Sequence, residues 1–116
     1  MSHHLPSYLR TFRKRWALTQ DELGNLLGGM AGSAVSKFER LTRQPPLKAV
    51  IAAQIIFQQD ARDLFPALYA KVERNLSYRA QQLLDRLEGH DDGRAEIKRE
   101  LLMSILARCE SDTSEV

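Results

Sequence analysis

The chain has 116 residues, of which 43% are hydrophobic and 28% are charged, with a net charge of +2. This hydrophobic fraction is ordinary for a globular protein and excludes a wholly disordered chain. The single cysteine, Cys109, has no partner for an internal disulfide, which favours a reducing compartment. No apolar run approaches the ~20 residues that a membrane span requires, and the N-terminus lacks the basic start and apolar core of a signal peptide. We therefore expect a cytoplasmic protein that does not enter membranes, folded as one domain or as one domain with a helical appendix.

The charges are distributed unevenly along the chain. Residues 1–48 contain eight Lys and Arg against three Asp and Glu, a net of +5, whereas residues 49–116 contain nine against twelve, a net of −3. This distribution favours an N-terminal half that faces a polyanion and a C-terminal half that is solvated or self-associating. Chance segregation in a short chain is the alternative.

The N-terminal half is predicted to begin with three helices, since no strand-like alternation persists. Pro6 suits the first turn of a helix that runs to about Ala17. Thr19 and Glu22 form the capping box of a second helix. Gly28-Gly29 end this helix, because glycine adopts positive φ angles without strain. A third helix covers about residues 33–41. The side chains expected in the core are Tyr8, Leu9, Phe12 and Trp16 on the first helix, Leu23, Leu26 and Leu27 on the second, and Val35 and Phe38 on the third.

Four further elements follow the tandem proline Pro45-Pro46. They are a helix over Leu47–Phe57, a short turn capped by Asp60, a helix from Pro66 to Glu88, and a helix from Arg94 to Cys109. The loop between the last two helices is polar and glycine-bounded, and the tail 110–116 is expected to fray. The core of the fourth helix is predicted to comprise Val50, Ile51, Ile55 and Ile56, with Leu64 and Phe65 on the short turn. The fold class is therefore all-α.

The second and third helices, joined by a glycine-bearing turn, form a helix-turn-helix whose second helix has the size to enter the DNA major groove. The surrounding segment, residues 9–65, resembles the phage-repressor-like (XRE or lambda-repressor-like) helix-turn-helix family. The resemblance rests on Leu9-Arg10, Arg13, Leu18-Thr19-Gln20, Glu22-Leu23, Leu26-Leu27-Gly28, Val35-Ser36, Glu39, Pro46 and Leu64-Phe65. It implies a five-helix DNA-binding bundle over residues 1–68. The two helices that remain, over residues 69–116, are expected from their own pattern to form a C-terminal helical hairpin.

The resemblance also implies roles for individual residues. Gln20 matches the family glutamine that contacts a DNA phosphate, although it is alternatively a solvated first-turn residue. Arg13 and Glu39 match a structural ion pair between the first and third helices. The turn is one residue longer than the family pattern, so the first base-reading position falls on Gly32.

The remaining DNA-binding candidates lie on or after the third helix. Ser33, Ser36 and Lys37 are expected on its outer face, with Lys37 the best candidate for a base contact, and Ser33 is alternatively only an N-cap. Arg40, Arg43 and Gln44 follow, where the family commonly contacts phosphates.

No constellation of residues indicates an enzyme, a cofactor or a metal site. His3 and His4 have no ligand partner at a suitable spacing, and His90-Asp91-Asp92 fits a polar turn. Cys109 is expected to be a buried or interface thiol rather than a nucleophile.

The two C-terminal helices carry apolar residues at intervals of three or four. These are Tyr69, Val72, Leu76, Ala80, Leu83 and Leu87 on one helix and Ile97, Leu101, Ile105 and Cys109 on the other. We interpret this stripe as the contact of a homodimer that places two recognition helices ~34 Å apart on a palindromic operator. The predicted function is a transcriptional regulator, more specifically a repressor, that binds double-stranded DNA. The alternatives are an antitoxin-like protein that binds a toxin through these helices, and a helix-turn-helix fold used only for protein binding.

Overall fold

The computed structural model describes residues 6–113, with side chains described up to residue 109. His3 and His4, and residues 114–116 of the predicted tail, lie outside this range. Within it the chain is all-α, as predicted, and contains no strand. The helices are α1 (Leu9–Arg15), α2 (Gln20–Leu26), α3 (Gly32–Arg40), α4 (Leu47–Phe57), α5 (Ala61–Leu64), α6 (Pro66–Arg86) and α7 (Gly93–Thr113).

The chain divides into two compact units, with the boundary between Tyr69 and Ala70 inside α6. The first unit contains α1 to α5, and the second contains most of α6 together with α7. None of the helices in the described part of the chain combines the length and apolarity needed to cross a lipid bilayer.

The capping box predicted to start α2 and the glycine turn predicted to end it are both confirmed. Thr19 Oγ1 accepts a hydrogen bond from Glu22 N at 3.0 Å, and Thr19 N donates to Glu22 Oε1 at 2.8 Å, which completes the capping box. After α2, Gly28 and Gly29 take φ angles of 130° and 79°. Residues with a Cβ atom rarely adopt these φ angles, so the two glycines determine the direction of the turn.

The packing of α2 against α3 depends on two glycines that the sequence prediction did not use. A Cβ added to Gly24 would overlap the carbonyl of Met30, whose N–H donates to Gly24 O at 2.8 Å. A Cβ added to Gly32 would overlap Asp21, whose Oδ1 accepts from Gly32 N at 2.9 Å. The side chain of Asp21 therefore caps α3 from the neighbouring helix, because the N-cap residue Ala31 has no polar side chain.

The first unit has a hydrophobic core to which α2 and α3 both contribute. Its buried residues are Leu9, Leu23, Leu27, Val35, Phe38, Ala49, Ala53, Phe57, Leu64 and Phe65. The segment before α1 is attached to α5 because Tyr8 N donates to Leu64 O at 2.8 Å. Burial of Leu23, Leu27, Val35 and Phe38 is as predicted.

Three predicted core residues near α1 and α2 are wrong. The side chain of Tyr8, the N-cap residue of α1, is 39% exposed. The side chain of Trp16 is 66% exposed, and Trp16 is the C-cap residue that follows the end of α1 at Arg15. The side chain of Leu26 is 54% exposed. The buried face of α2 is centred on Leu23, Gly24 and Leu27, and Leu26 lies roughly 110° around the helix from that centre.

The bounds of α4 are as predicted, but its buried face is not. Ala49, Ala53 and Phe57 are buried, whereas Ile51 and Ile55, predicted as core, are exposed, the latter by 72%. The α4 sequence is apolar on nearly all sides, so its periodicity cannot select a face, and the small alanines permit the closer approach. Leu47, Ile51 and Ile55 form an exposed row at four-residue spacing, which we name the α4 stripe.

The second unit is built from α6 and α7. Pro66 begins α6 as predicted, and Gly89 follows its end with a φ of 87°. Asp92 Oδ1 accepts from Ala95 N at 2.8 Å and so caps α7, which continues beyond the predicted end at Cys109 to Thr113. The Arg99 guanidinium donates to the carbonyl of Leu87 at 3.0 Å and to that of His90, which links α7 to the connecting loop.

We predict that Gly24→Ala destabilises the protein by about 1–3 kcal/mol, because the new methyl group must displace a backbone carbonyl rather than a flexible side chain. The matched control is Gly93→Ala in the first turn of α7, where no atom lies within 4 Å of the added Cβ and φ is not positive. Chemical denaturation followed by circular dichroism measures both. Equal stability of the two variants would show that α2 and the turn are not in the close contact described.

Candidate nucleic-acid interface

A buried ion pair joins α1 to α3. Arg13 Nε donates to Glu39 Oε2 at 2.6 Å, and Nη2 donates to Glu39 Oε1 at 3.4 Å. The side chains are only 9% and 4% exposed. Arg13 Nη1 also donates to Leu18 O at 2.8 Å, so the same guanidinium holds the turn before α2. The pair implied by the resemblance is therefore present, and its planar donor fork connects three segments of chain.

Two more side chains complete this network. Gln20 Nε2 donates to Glu39 Oε1 at 3.1 Å, and Ser7 Oγ donates to the backbone oxygen of Glu39 at 2.8 Å. Among the described residues, no buried side-chain nitrogen or oxygen lacks a hydrogen-bond partner. The C-terminal half of α3 is thereby held against α1 and against the first residue of α2.

A cleft of about 380 Å³ opens beside the network. Its lining residues are Pro6, Ser7, Arg10, Thr11, Arg13, Gln20, Ser36, Glu39 and Arg40. Gln20 is half-buried, with its amide nitrogen on Glu39 and its side chain at the cleft wall. It is thus a member of the network as well as a candidate for phosphate contact.

The predicted residues of α3 fall into two groups. Ser33 and Lys37 are exposed on the outer surface of the helix. Ser36 is half-buried and lines the cleft, and the exposed Arg40, whose Nε donates to Ser36 O at 3.3 Å, lies at the cleft edge. The alternative of Ser33 as the N-cap is wrong, because α3 begins one residue earlier and Ala31 occupies the cap position.

The segment after α3 is folded back onto the helix end. Leu41 takes a left-handed conformation with φ of 53°, and the N–H groups of Thr42 and Arg43 donate to Lys37 O. The Arg43 guanidinium lies 5.7 Å from the centre of the Phe38 ring, a cation–π distance. Arg43 is therefore held against the end of α3 rather than on a free strand, and Gln44, which follows it, is exposed.

Sequence reasoning missed several residues at this site. Arg10 and Thr11 line the cleft, and Asp21 fixes the start of α3. Gly32, expected at the first base-reading position, is instead buried against Asp21 and presents no surface there. The signal available for Asp21 was an acidic residue in the first turn of α2, but that position is equally typical of a favourable helix-dipole charge.

No group of three or more His, Cys, Asp or Glu in residues 6–113 is placed to hold a metal ion. Cys109 is buried on α7.

No family model matches this chain, no curated protein matches it, and no solved structure matches it. The geometry of the site itself must therefore support any functional proposal.

We predict that Glu39→Ala destabilises the protein by about 3–5 kcal/mol, because it leaves the buried Arg13 guanidinium without its counter-ion. The matched control is Glu96→Ala, which removes the exposed partner of Arg99 in a surface pair and is expected to change stability by less than about 1 kcal/mol. Urea denaturation measures both. A double variant, Arg13→Met with Glu39→Leu, should be less destabilised than Glu39→Ala alone, and a larger loss in the double variant would contradict this account.

Proposed function

We propose that this protein is a sequence-specific DNA-binding transcriptional regulator of the phage-repressor-like helix-turn-helix type, in which α3 enters the major groove of its operator. The observation that supports this most is the closed network of Arg13, Gln20 and Glu39, together with the Asp21 cap on Gly32. It orients α3 so that Ser33 and Lys37 face solvent on a rigid support. Base readout requires this combination of an exposed reading surface and a fixed helix.

The electrostatics of the first unit support a polyanionic ligand. Of the eight Lys and Arg in residues 1–48, only Arg13 is buried, and the other seven are exposed. They are Arg10, Lys14, Arg15, Lys37, Arg40, Arg43 and Lys48. Each one placed near a phosphate adds to affinity by releasing counter-ions, so binding should weaken steeply with salt.

The proposed roles divide by position. Lys37 reads a base edge, with guanine O6 and N7 as its natural acceptors, and Ser33 lies beside it on the outer surface. Arg40, Arg43 and Gln44 contact phosphates at the end of α3. Gln20, Ser36 and Arg10 line the same cleft, and we assign to this cleft a second phosphate of the DNA backbone. Occupation of an operator by such a unit hinders polymerase, so repression is the proposed outcome.

The experiment that tests the function uses the purified full chain and the intergenic DNA upstream of its own gene. A scrambled duplex of equal length and composition is the control, and both are titrated at two salt concentrations. Tight, sequence-preferring and salt-sensitive binding supports the proposal. Equal affinity for both duplexes, or no binding, contradicts it.

We predict that Lys37→Ala weakens binding to the specific duplex by about 1–3 kcal/mol while changing binding to the scrambled duplex much less. Arg43→Ala should instead weaken both duplexes alike and flatten the salt dependence, because a phosphate contact carries no sequence information. Fluorescence anisotropy at several salt concentrations measures both. If Lys37→Ala reduces both affinities equally, Lys37 is a phosphate contact and not a base reader.

Pairing of two copies is also part of the proposal, because two half-sites one helical turn apart require two recognition helices. The sequence pointed to the C-terminal hairpin for this contact. In the structure the α4 stripe is a second candidate, and Lys48 is the only charged residue of α4. A two-fold axis places identical surfaces opposite each other, so an uncharged stripe pairs without like-charge repulsion. We therefore favour the α4 stripe as the homodimer contact.

We predict that Ile55→Glu converts the dimer to a monomer, because it places a charge within the apolar contact at the most C-terminal residue of the α4 stripe. Sedimentation equilibrium of the full chain measures the change. The control is Leu101→Gln on α7, which should leave the dimer intact. Dissociation by Leu101→Gln but not by Ile55→Glu would return the dimer contact to the hairpin.

A second candidate function, an antitoxin-like protein that binds a partner through its C-terminal helices, is favoured by the exposed apolar residues of the second unit. Val72, Leu76 and Leu83 on α6 and Ile97 and Leu101 on α7 are all exposed. Partner binding and operator binding are compatible in one chain, whereas a fold used for protein binding alone leaves the exposed basic residues around α3 without a role. We propose no enzymatic activity.

A further inference from the structure

The two helices of the second unit bury one row of residues each. On α6 the buried or half-buried row is Glu73, Ser77, Ala80, Leu84 and Leu87, and on α7 it is Ala95, Arg99, Leu102, Leu106 and Cys109. Within each row the spacing alternates between four and three residues. This is the pattern of two helices packed along one seam, so we name these sets the inner rows.

The inner rows define two sides of the hairpin. In an α-helix, residues one position before an inner-row residue lie on one side of the seam, and residues one position after lie on the other. In an antiparallel pair the "before" positions of both helices fall on the same side. We name this side the leading face. Its members are Val72, Leu76, Arg79, Leu83 and Arg86 on α6, and Arg94, Lys98, Leu101, Ile105 and Arg108 on α7.

The composition of the leading face is unusual for a solvated surface. Five of its ten residues are large aliphatics, five are Lys or Arg, and none is acidic. Val72, Leu76, Leu83 and Leu101 are exposed and Ile105 is half-buried. The opposite face instead carries Asp85, Glu88, Glu96 and Glu100. The leading face therefore has no acidic residue, whereas the opposite face is mainly acidic and has Arg74 as its basic residue.

A cleft of about 350 Å³ at the loop end supports this assignment of faces. Arg86 from α6 and Arg94 and Lys98 from α7 line it together, so the basic residues of the leading face do converge across the seam. His90 adds a fourth nitrogen-bearing side chain, and Asp92 is the only acidic residue in the lining. The end of the leading face is therefore suited to carboxylates.

We propose that the leading face binds an amphipathic α-helix of a partner protein, whose apolar side lies on the aliphatic residues and whose Asp and Glu side chains pair with the basic ones. A helix in a two-helix groove is a common mode of recognition, with apolar anchors spaced by three and four residues. The leading face covers residues 94–108 of α7, so a partner helix lies along about 21 Å of it.

Charge distinguishes this occupant from a second copy of the chain. A two-fold pairing of leading faces would bring ten basic groups into one interface without an acidic partner, which opposes association. Pairing of a leading face with an opposite face does not close and would produce an open polymer. The leading face also contains no Trp, Tyr or Phe, the residues that typically anchor a helix in a membrane interface.

The inference deepens the second candidate function, on which it rests, by stating the chemistry of the partner, and it does not require that the first unit binds DNA. It is tested with the full chain and a synthetic probe, a labelled 21-residue helical peptide with Leu at alternating three- and four-residue spacing and Glu on its flanks. The comparison peptide has Lys in place of every Glu. We expect saturable binding of the acidic peptide that weakens with salt, and binding of the basic peptide that is at least about tenfold weaker.

The matched variants are on α7. Leu101 and Met103 are 58% and 61% exposed, but they lie on opposite faces of the hairpin. Leu101→Gln should weaken the acidic peptide about tenfold and Met103→Gln less than about twofold. Arg79→Gln and Arg74→Gln form the corresponding charge pair, and only Arg79→Gln should reduce the salt dependence.

Four outcomes would overturn the inference. They are no binding of the acidic peptide, equal binding of both peptides, equal effects of Leu101→Gln and Met103→Gln, and a preference for vesicles containing phosphatidylserine over the acidic peptide. If the unaltered chain does not bind the acidic peptide and Leu101→Gln abolishes self-association, the leading face is instead a contact with a second copy of the chain. Operator binding by the same preparation is measured separately, so failure of the peptide test does not bear on the DNA proposal.

Discussion

The orientation of α3 depends on the carboxylate of Glu39. The two carboxylate oxygens accept hydrogen bonds from Arg13 and Gln20, and the backbone oxygen of Glu39 accepts a hydrogen bond from Ser7. A buried charge of this kind is tolerated only when its partners are complete, and removal of one partner leaves the other without compensation. Since Arg13 also holds the carbonyl of Leu18, displacement of α3 would disrupt contacts with three other segments. A polar junction therefore fixes a helix that hydrophobic packing alone could leave free to slide along its axis.

The features that could be predicted from the sequence are those set by neighbouring residues. The capping box of Thr19 and Glu22, the left-handed Gly28-Gly29 turn and the helix start at Pro66 each depend on a few residues of local chain, and each is present. The bounds of α4 were also correct. The Arg13–Glu39 pair spans 26 residues, and only the family resemblance implied it. Spacing by itself could not have paired these two side chains among the many charged residues of the chain.

The features that could not be predicted depend on what each helix packs against. α4 is apolar on nearly every side, so the choice between Ala53 and Ile55 as core is made by the neighbouring helices and not by periodicity. The buried role of Gly32 likewise arises from the approach of Asp21, eleven residues earlier. On α6 and α7 the predicted apolar stripe mixed inner-row residues such as Ala80 with leading-face residues such as Leu76, because both sets recur at intervals of three and four.

The three exposed surfaces differ in chemistry, and this difference separates their proposed partners. The surface around α3 combines Lys and Arg with Ser and Gln, which suits a hydrated polyanion and offers few apolar contacts. The α4 stripe is apolar with a single flanking charge, which suits an identical surface across a two-fold axis. The leading face combines aliphatic and basic residues, which disfavours its own copy and suits an acidic amphipathic helix. Because the balance of apolar and charged residues differs among the three surfaces, a single short chain can present contacts for three different kinds of partner.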